Sequence, residues 1–183
     1  MFNGAMNDTG PAAGWFACYT RGRHEKRAAA VLEERGFEVF LPLLVRTSQW
    51  KDRRKQISEP AFPSYVFCRA ALAQLHEILA VPGIASVVRA GNRPVLVAEE
   101  DIENVRRLIR ALEGGAEVPS PTPYLGAGQK VEIIDGPFAG IRAVVVEQHK
   151  RRRVLVGLEA IGQAMELDVD VSSLRVLDAE EPE

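Results

Sequence analysis

The side chains of this chain that could do chemistry are three histidines (His24, His76 and His149), two cysteines (Cys18 and Cys68) and the acidic run Glu99-Glu100-Asp101. Their spacing serves no reaction. Structural zinc takes four ligands, usually clustered in sequence, and the histidines and cysteines are scattered. Two isolated cysteines make no disulfide framework. No phosphate loop, dinucleotide fingerprint or nucleophile elbow is present. His24 could act as a base, but no partner can be named for it. Asp135 stands before Gly136-Pro137, where its simplest role is to start a turn. The acidic run suits the first turn of a helix, where the dipole favours negative charge. The pattern is that of a protein that binds rather than catalyses, with no cofactor and no metal.

Binding chemistry is concentrated in one stretch, Ser58-Glu59-Pro60-Ala61-Phe62-Pro63-Ser64-Tyr65-Val66-Phe67-Cys68. Its two prolines disfavour helix and push their neighbours extended. On a strand, Tyr65 and Phe67 share one face, and Val66 and Cys68 share the other. The plain reading is a central core strand. The sharper reading puts Val66 and Cys68 in the core and leaves Tyr65 and Phe67 partly exposed to grip a protein partner. A second concentration is charge. The net charge of −2 hides ten Lys/Arg against five Asp/Glu between Arg21 and Lys55, and four acids with no base in the last six residues. A basic N-terminal third suits either a polyanion or a solvated face.

The surrounding elements must position these residues. Trp15 to Thr20 reads as a strand. Ala28, Val31, Leu32 and Arg35 fall at helical spacing, with Glu25 in the first turn and Gly36 as the stop. Phe37 to Leu41 is a second strand. Leu43 to Ile57 is an exposed hairpin or loop around Trp50, and the aromatic stretch follows as a third strand. A short helix carries Leu72, Leu75, Ile78 and Leu79 on one face. Ile84 to Arg89 and Pro94 to Val97 are extended. A longer helix begins at the acidic run and buries Ile102, Val105, Ile109 and Leu112.

After residue 113 the periodicity changes. Residues 114–124 hold two Gly, three Pro, one Ser and one Thr, the composition of a semi-stiff linker. Then Lys130 to Ile134, Ile141 to Gln148, Val154 to Leu158, Ala164 to Val169 and Ser173 to Leu177 form short β-branched runs separated by turns, which implies a small barrel. The organisation is a disordered tail (1–13), an α+β domain (14–113), a linker (114–124), an all-β domain (125–178) and an acidic tail (179–183). The first fourteen residues lack the basic start and apolar core of a signal peptide. No apolar run approaches the roughly 18 residues that span a bilayer. Cytoplasm and no membrane contact are the default expectations.

These residues resemble a family. Trp15-Phe16, the His24-Glu25-Lys26 helix start, Phe40-Leu41-Pro42 and Phe62-Pro63-Ser64-Tyr65-Val66-Phe67 look like the N-terminal domain of NusG-type transcription elongation factors. Gly128 to Val146, with Asp135-Gly136-Pro137-Phe138-Ala139-Gly140 inside it, looks like the KOW motif of their C-terminal domain. Arg21-Gly22-Arg23-His24-Glu25-Lys26-Arg27 and Ser58-Glu59-Pro60-Ala61-Phe62-Pro63 are most similar to specialised paralogues of the RfaH-like, polysaccharide-operon antiterminator kind. The resemblance implies an α+β fold: a ferredoxin-like NusG N-terminal (NGN) domain with an antiparallel sheet and helices, a linker, and an SH3-like KOW β-barrel.

It also implies partners for a monomer. The first domain would bind the clamp helices of the largest RNA polymerase subunit and suppress pausing or termination, using Pro63, Tyr65 and Phe67 with Phe62 and Tyr19 as neighbours. Arg21, His24 and Arg27, with Arg23 and Lys26 nearby, match positions that read the non-template DNA strand in RfaH-like paralogues. Phe138 matches a loop that contacts Rho or a small-subunit ribosomal protein; by itself a Phe in that turn either plugs the barrel or is displayed. Two alternatives stay open: a housekeeping NusG coupling polymerase to Rho or the ribosome, and a ribosome-associated RNA-binding KOW protein in which the basic tip Lys150 to Arg153 contacts RNA. Two departures are visible. Ser64 stands where NusG itself usually has Gly, so a turn with positive φ would be strained there. Ala143 stands where KOW motifs often carry a second Gly. The Val- and Ile-rich second domain predicts a stable barrel with no helical alternative.

Overall fold

The computed structural model describes residues 13–50, 53–116, 120–123, 128–148 and 151–177. Strand β1 (Gly14–Thr20) alternates Trp15, Ala17 and Tyr19 on one face with Phe16, Cys18 and Thr20 on the other. Helix α1 (Glu25–Glu34) buries Ala28, Ala29 and Leu32 and stops where Gly36 takes a φ of 84°. Strand β2 (Glu38–Phe40) follows. Strands β3 (Leu43–Trp50) and β4 (Arg53–Pro60) form a separate two-stranded hairpin. Strand β5 (Tyr65–Ala70) returns to the sheet.

Helix α2 (Leu75–Leu79) and strand β6 (Ile84–Val87) come next. A small ribbon of β7 (Arg89–Ala90) and β8 (Arg93–Pro94) leads to β9 (Leu96–Val97) and helix α3 (Glu99–Glu113). The main sheet has the order β2-β5-β1-β6, with β9 also pairing to β1, and its ladders are antiparallel. One face, with Phe16, Cys18, Val66 and Cys68, packs under α1 and α2. The other, with Trp15, Ala17 and Phe67, clusters with Ile102, Val105 and Leu108 of α3. Burying each of these three aliphatic side chains contributes roughly 2 kcal/mol. Around them Arg106 lies over the Trp15 and Phe40 rings at 5.3 and 5.2 Å, and Trp15 Nε1 donates to Glu99 at 3.1 Å.

The second unit is a six-stranded antiparallel sheet: β10 (Ser120–Pro123), β11 (Lys130–Ile133), β12 (Arg142–Gln148), β13 (Arg151–Leu158), β14 (Gln163–Asp168) and β15 (Leu174–Val176). Their order is β10-β14-β13-β12-β11-β15, with β10 and β15 at the two edges. Val131, Ile133, Ile141, Val154, Val156, Leu158 and Met165 fill its core. Gly157 lets β13 and β14 approach closely, since a Cβ there would lie 2.5 Å from both the Ala164 Cβ and the Gln163 carbonyl oxygen.

Three expectations change. Ser120–Pro123, inside the predicted linker, pairs with β14 as an edge strand; prolines are tolerated there because an edge strand need not donate on both sides. Leu72 and Leu79 are exposed: Leu72 lies in a 3-10 turn (Leu72–Gln74) before α2, and the five-residue α2 turns only Leu75 and Ile78 inward. Helix α3 buries Leu108 and, on a second face, Asn104, whereas Ile109 and Leu112 of the predicted stripe are only half-buried. That second face is covered by the C-terminal unit. The Arg142 N–H donates to Asn104 Oδ1 at 3.2 Å, the Arg142 guanidinium pairs with Glu100, and Arg107 donates to the Gly140 carbonyl. The two units thus share one apolar cluster through α3.

Candidate functional site

The register of β1 on β5 sets Tyr19 directly opposite Tyr65 at the strand ends. Their rings meet edge to face, with centroids 5.4 Å apart and planes at 69°. Tyr19 is 43% exposed, whereas Trp15, Ala17 and Phe67 on the same sheet face are buried. Tyr65 is half-buried. Burial, and then the facing Tyr19, push its phenol above the ordinary range.

The chain enters β5 through a four-residue turn. The Tyr65 N–H donates to the Phe62 carbonyl at 3.2 Å, Pro63 takes the second position, and Ser64 takes the third with a φ of 66°. Proline second and a positive φ third define a type II turn, in which glycine is the unstrained third residue. Ser64 is therefore the strained substitute that its position implies. Phe62 is swallowed by the turn, 1% exposed, and stands edge to face on Phe67 at 6.2 Å. Phe67 is fully buried, so the expectation of a partly exposed Phe67 is overturned. Its face assignment is right, but the Phe40 and Phe62 rings pack against it, each at 6.2 Å, inside a buried cluster. The accessible aromatic surface is Tyr19, Tyr65 and the exposed ring of Pro63, with Phe62 and Phe67 as its base.

The basic residues sit next to this surface. Arg21 and Arg23 lie in the loop between β1 and α1, and Arg27 on the first turns of α1; all three are exposed and have no ion pair among the described residues. The loop is held from below: the Arg21 N–H donates to the Gly83 carbonyl at 2.8 Å, and His24 Nδ1 lies 3.0 Å from the Gly22 carbonyl, which can only accept. Lys26 is engaged within the protein, its Nζ donating to the Ser58 carbonyl of β4 at 2.7 Å. The loop and the aromatic turn are joined by Glu25, whose Oε1 accepts the Ser64 N–H at 2.8 Å. Sequence reasoning treated Glu25 only as a helix-start charge; its burial at 7% exposure has no signal in the sequence.

Phe138 lies elsewhere, in the turn between β11 and β12. Asp135 caps that turn by accepting the Gly136 N–H at 2.8 Å, and Gly136 and Gly140 have φ of 78° and 82°. Phe138 neither plugs the sheet nor stands free: it is half-buried against the shared core. Lys150 and both chain tails lie outside the described residues, as do the side chains of Arg151, Arg152 and Arg153. Among the described residues no group of three or more His, Cys, Asp or Glu could hold a metal. Cys18 and Cys68 are buried, and burial pushes both thiols well up, that of Cys68 to about 12. Among the described residues no helix is long and apolar enough to cross a membrane.

A cleft of about 800 Å³ runs between α3 and the second unit, lined by Glu100, Asp101, Asn104, Lys130, Arg142 and Glu159 among others. Its polar groups belong to the contact between the units.

Residues 13–106 match the family described as transcription termination factor NusG, and residues 127–156 match the KOW motif. The transcription termination/antitermination protein NusG of Thermus thermophilus is 26% identical over 178 residues, covering 87% of this chain and 96% of its own. NusG of Neisseria meningitidis is 24% identical over 173 residues, with 87% and 96% covered. Among solved structures, one concerned with domain interaction in Thermotoga maritima NusG aligns over 91% of this chain and 98% of its own, at 24% identity and a TM-score of 0.46.

Proposed function

The chain belongs to the NusG family of transcription factors, and on that premise we propose that it docks on RNA polymerase through the aromatic ends of β1 and β5 and suppresses pausing or termination. What supports this reading is the Tyr19–Tyr65 pair beside Pro63, with Tyr19 exposed and Tyr65 half-buried, at the end of a sheet face that is otherwise buried. Aromatic side chains with few rotatable bonds make good interface anchors, because little entropy is lost when they are fixed. The clamp helices of the largest subunit are the partner in this reading, with Phe62 and Phe67 stiffening the surface from below.

The exposed Arg21, Arg23 and Arg27, with His24 between them, give the same end of the domain a second contact. Guanidinium groups stack on unpaired bases, pair with phosphate and read guanine edges, so the non-template strand is a fitting ligand. Bridging clamp and DNA across the channel would hold the clamp closed, and base-reading at the loop would recruit the factor to a particular operon. A second reading, the housekeeping role, is favoured by the partial exposure of Phe138 in its glycine-flanked turn, a place for Rho or a small-subunit ribosomal protein.

Single-round transcription with the cognate polymerase, on templates with and without a candidate leader, tests both. The operon-specific reading expects shortened pauses on the leader template only, lost with Arg21→Ala. Equal shortening on both templates selects the housekeeping role. No effect of the wild-type protein on pausing contradicts both readings.

A further inference from the structure

Glu25 is a buried carboxylate with a particular job. Among the described residues only two non-glycine residues have positive φ, Arg23 at 63° and Ser64 at 66°, and both lie beside Glu25. A left-handed conformation is unfavourable for such residues and persists only when the surroundings over-determine it, most often at functional sites. At Ser64 the surroundings are visible. Its N–H is held by Glu25 Oε1 at 2.8 Å, and its carbonyl accepts the Thr20 N–H at 2.8 Å. The residue is pinned between α1 on one side and β1 on the other. Thr20 is itself fully buried, with a hydroxyl that finds no hydrogen-bond partner among the described residues, so this corner holds a buried polar group besides Glu25.

The consequence reaches both contact surfaces. Pro63 and Tyr65 flank Ser64, so the tie to Glu25 fixes the turn that presents them. Glu25 also opens helix α1, immediately after the loop of Arg21 to His24. Among the described residues it is the side chain that joins the basic loop to the aromatic turn. We propose that Glu25 is a positioning residue that holds the strained Pro63–Ser64 turn and thereby sets the polymerase-docking aromatics and the DNA-contacting arginines in one fixed relation. This rests on the docking reading above and adds a residue that touches neither partner. Without the tie the turn is free to relax, and binding must first restore it, which weakens both contacts.

The test uses the full-length chain and two probes: a clamp-helix fragment of the cognate polymerase and a fluorescein-labelled single-stranded oligodeoxynucleotide. Affinities are measured well below each variant's unfolding midpoint. Glu25→Met keeps the packing and removes the acceptor; it is expected to weaken both probes by about fivefold to tenfold, because binding must then order the turn. Glu25→Gln keeps a carbonyl acceptor for the Ser64 N–H and is expected to restore both. In a Ser64→Gly background the turn is no longer strained, so Glu25→Met should lose much less than in the wild type, a non-additivity that a general loss of stability would not produce. Tyr65→Ala serves as the control for the docking reading itself. If Glu25→Met binds both probes as well as the wild type while Tyr65→Ala loses the fragment, the positioning role is overturned and docking stands. If Glu25→Met loses as much in the Ser64→Gly background as in the wild type, the role is likewise overturned. If Tyr65→Ala also captures the fragment undiminished, the docking reading falls and the proposal falls with it.

Discussion

Replacing Asp101 with asparagine is expected to stabilise the protein at pH 8 and to have little effect near pH 4. Asp101 lies in the first turn of α3, half-buried in the cleft between the two units. Burial, then Glu100 on its own helix, then Glu159 from the turn after β13 push its carboxyl up to about 6, while Lys130 of β11 opposes them. A carboxyl whose folded pKa is raised favours folding in its protonated form. Its contribution is therefore fully present below the unfolded value near 4 and is lost as pH rises through 6. A shift of roughly two units corresponds to about 3 kcal/mol, which solvent screening of a half-exposed group reduces to about 1 kcal/mol. Asparagine removes the charge and keeps the shape, and Glu99 and Glu100 still supply negative charge to the helix start. For a chain of this size, the variant's unfolding midpoint should lie about 2–4 °C above the wild type at pH 8, with the gap closing between pH 7 and pH 4. Calorimetric scans of both proteins across that range check it. A gap of constant size at all pH values, or a less stable variant at pH 8, would refute the claim that the packed units strain this carboxylate.

Three further outcomes follow from packing. Gly157→Ala should destabilise the second unit by about 2 kcal/mol, because its new methyl meets β14 backbone and the Ala164 side chain, read as a lower thermal midpoint. Phe67→Ala should cost about 3–5 kcal/mol of stability, measured by urea unfolding, since it empties a fully buried site between Phe40 and Phe62. Cys18 and Cys68, buried with raised pKa values, should not react with a thiol reagent at pH 8 until the protein is unfolded, and rapid labelling of the native protein would contradict their placement.

Much of the fold was legible because local pattern and tertiary environment agree. Four of the β-branched runs of the second unit became strands within a residue or two of their expected ends, as β12 from Arg142 to Gln148 and β14 from Gln163 to Asp168 show, while β13 starts at Arg151, three residues before the expected Val154. The acidic start of α3 stands where the dipole places it. What was not legible came from contacts between distant segments. Phe67 alternates correctly with Val66 and Cys68, but alternation cannot tell a grip from a base; the Phe40 and Phe62 rings that pack on Phe67 are set there by the fold, and Tyr65 at the strand end stays half-buried. Asn104 interrupts no pattern, yet it is buried where the second unit meets α3 and accepts the Arg142 N–H. Glu25 reads as an ordinary first-turn acid until the fold brings the Ser64 N–H to it. Ser64 is the opposite case: its departure from glycine already pointed to a strained turn, and its φ of 66° bears that out.

The central claim is that the Tyr19–Tyr65 surface is the polymerase contact. The most direct measurement is the affinity of a clamp-helix fragment for the wild-type protein and for Tyr65→Ala, by titration calorimetry. An interface anchor of about 2 kcal/mol predicts roughly thirtyfold weaker binding by the variant, with an unfolding midpoint close to that of the wild type because Tyr65 is only half-buried. Equal affinity of the two proteins would contradict the account.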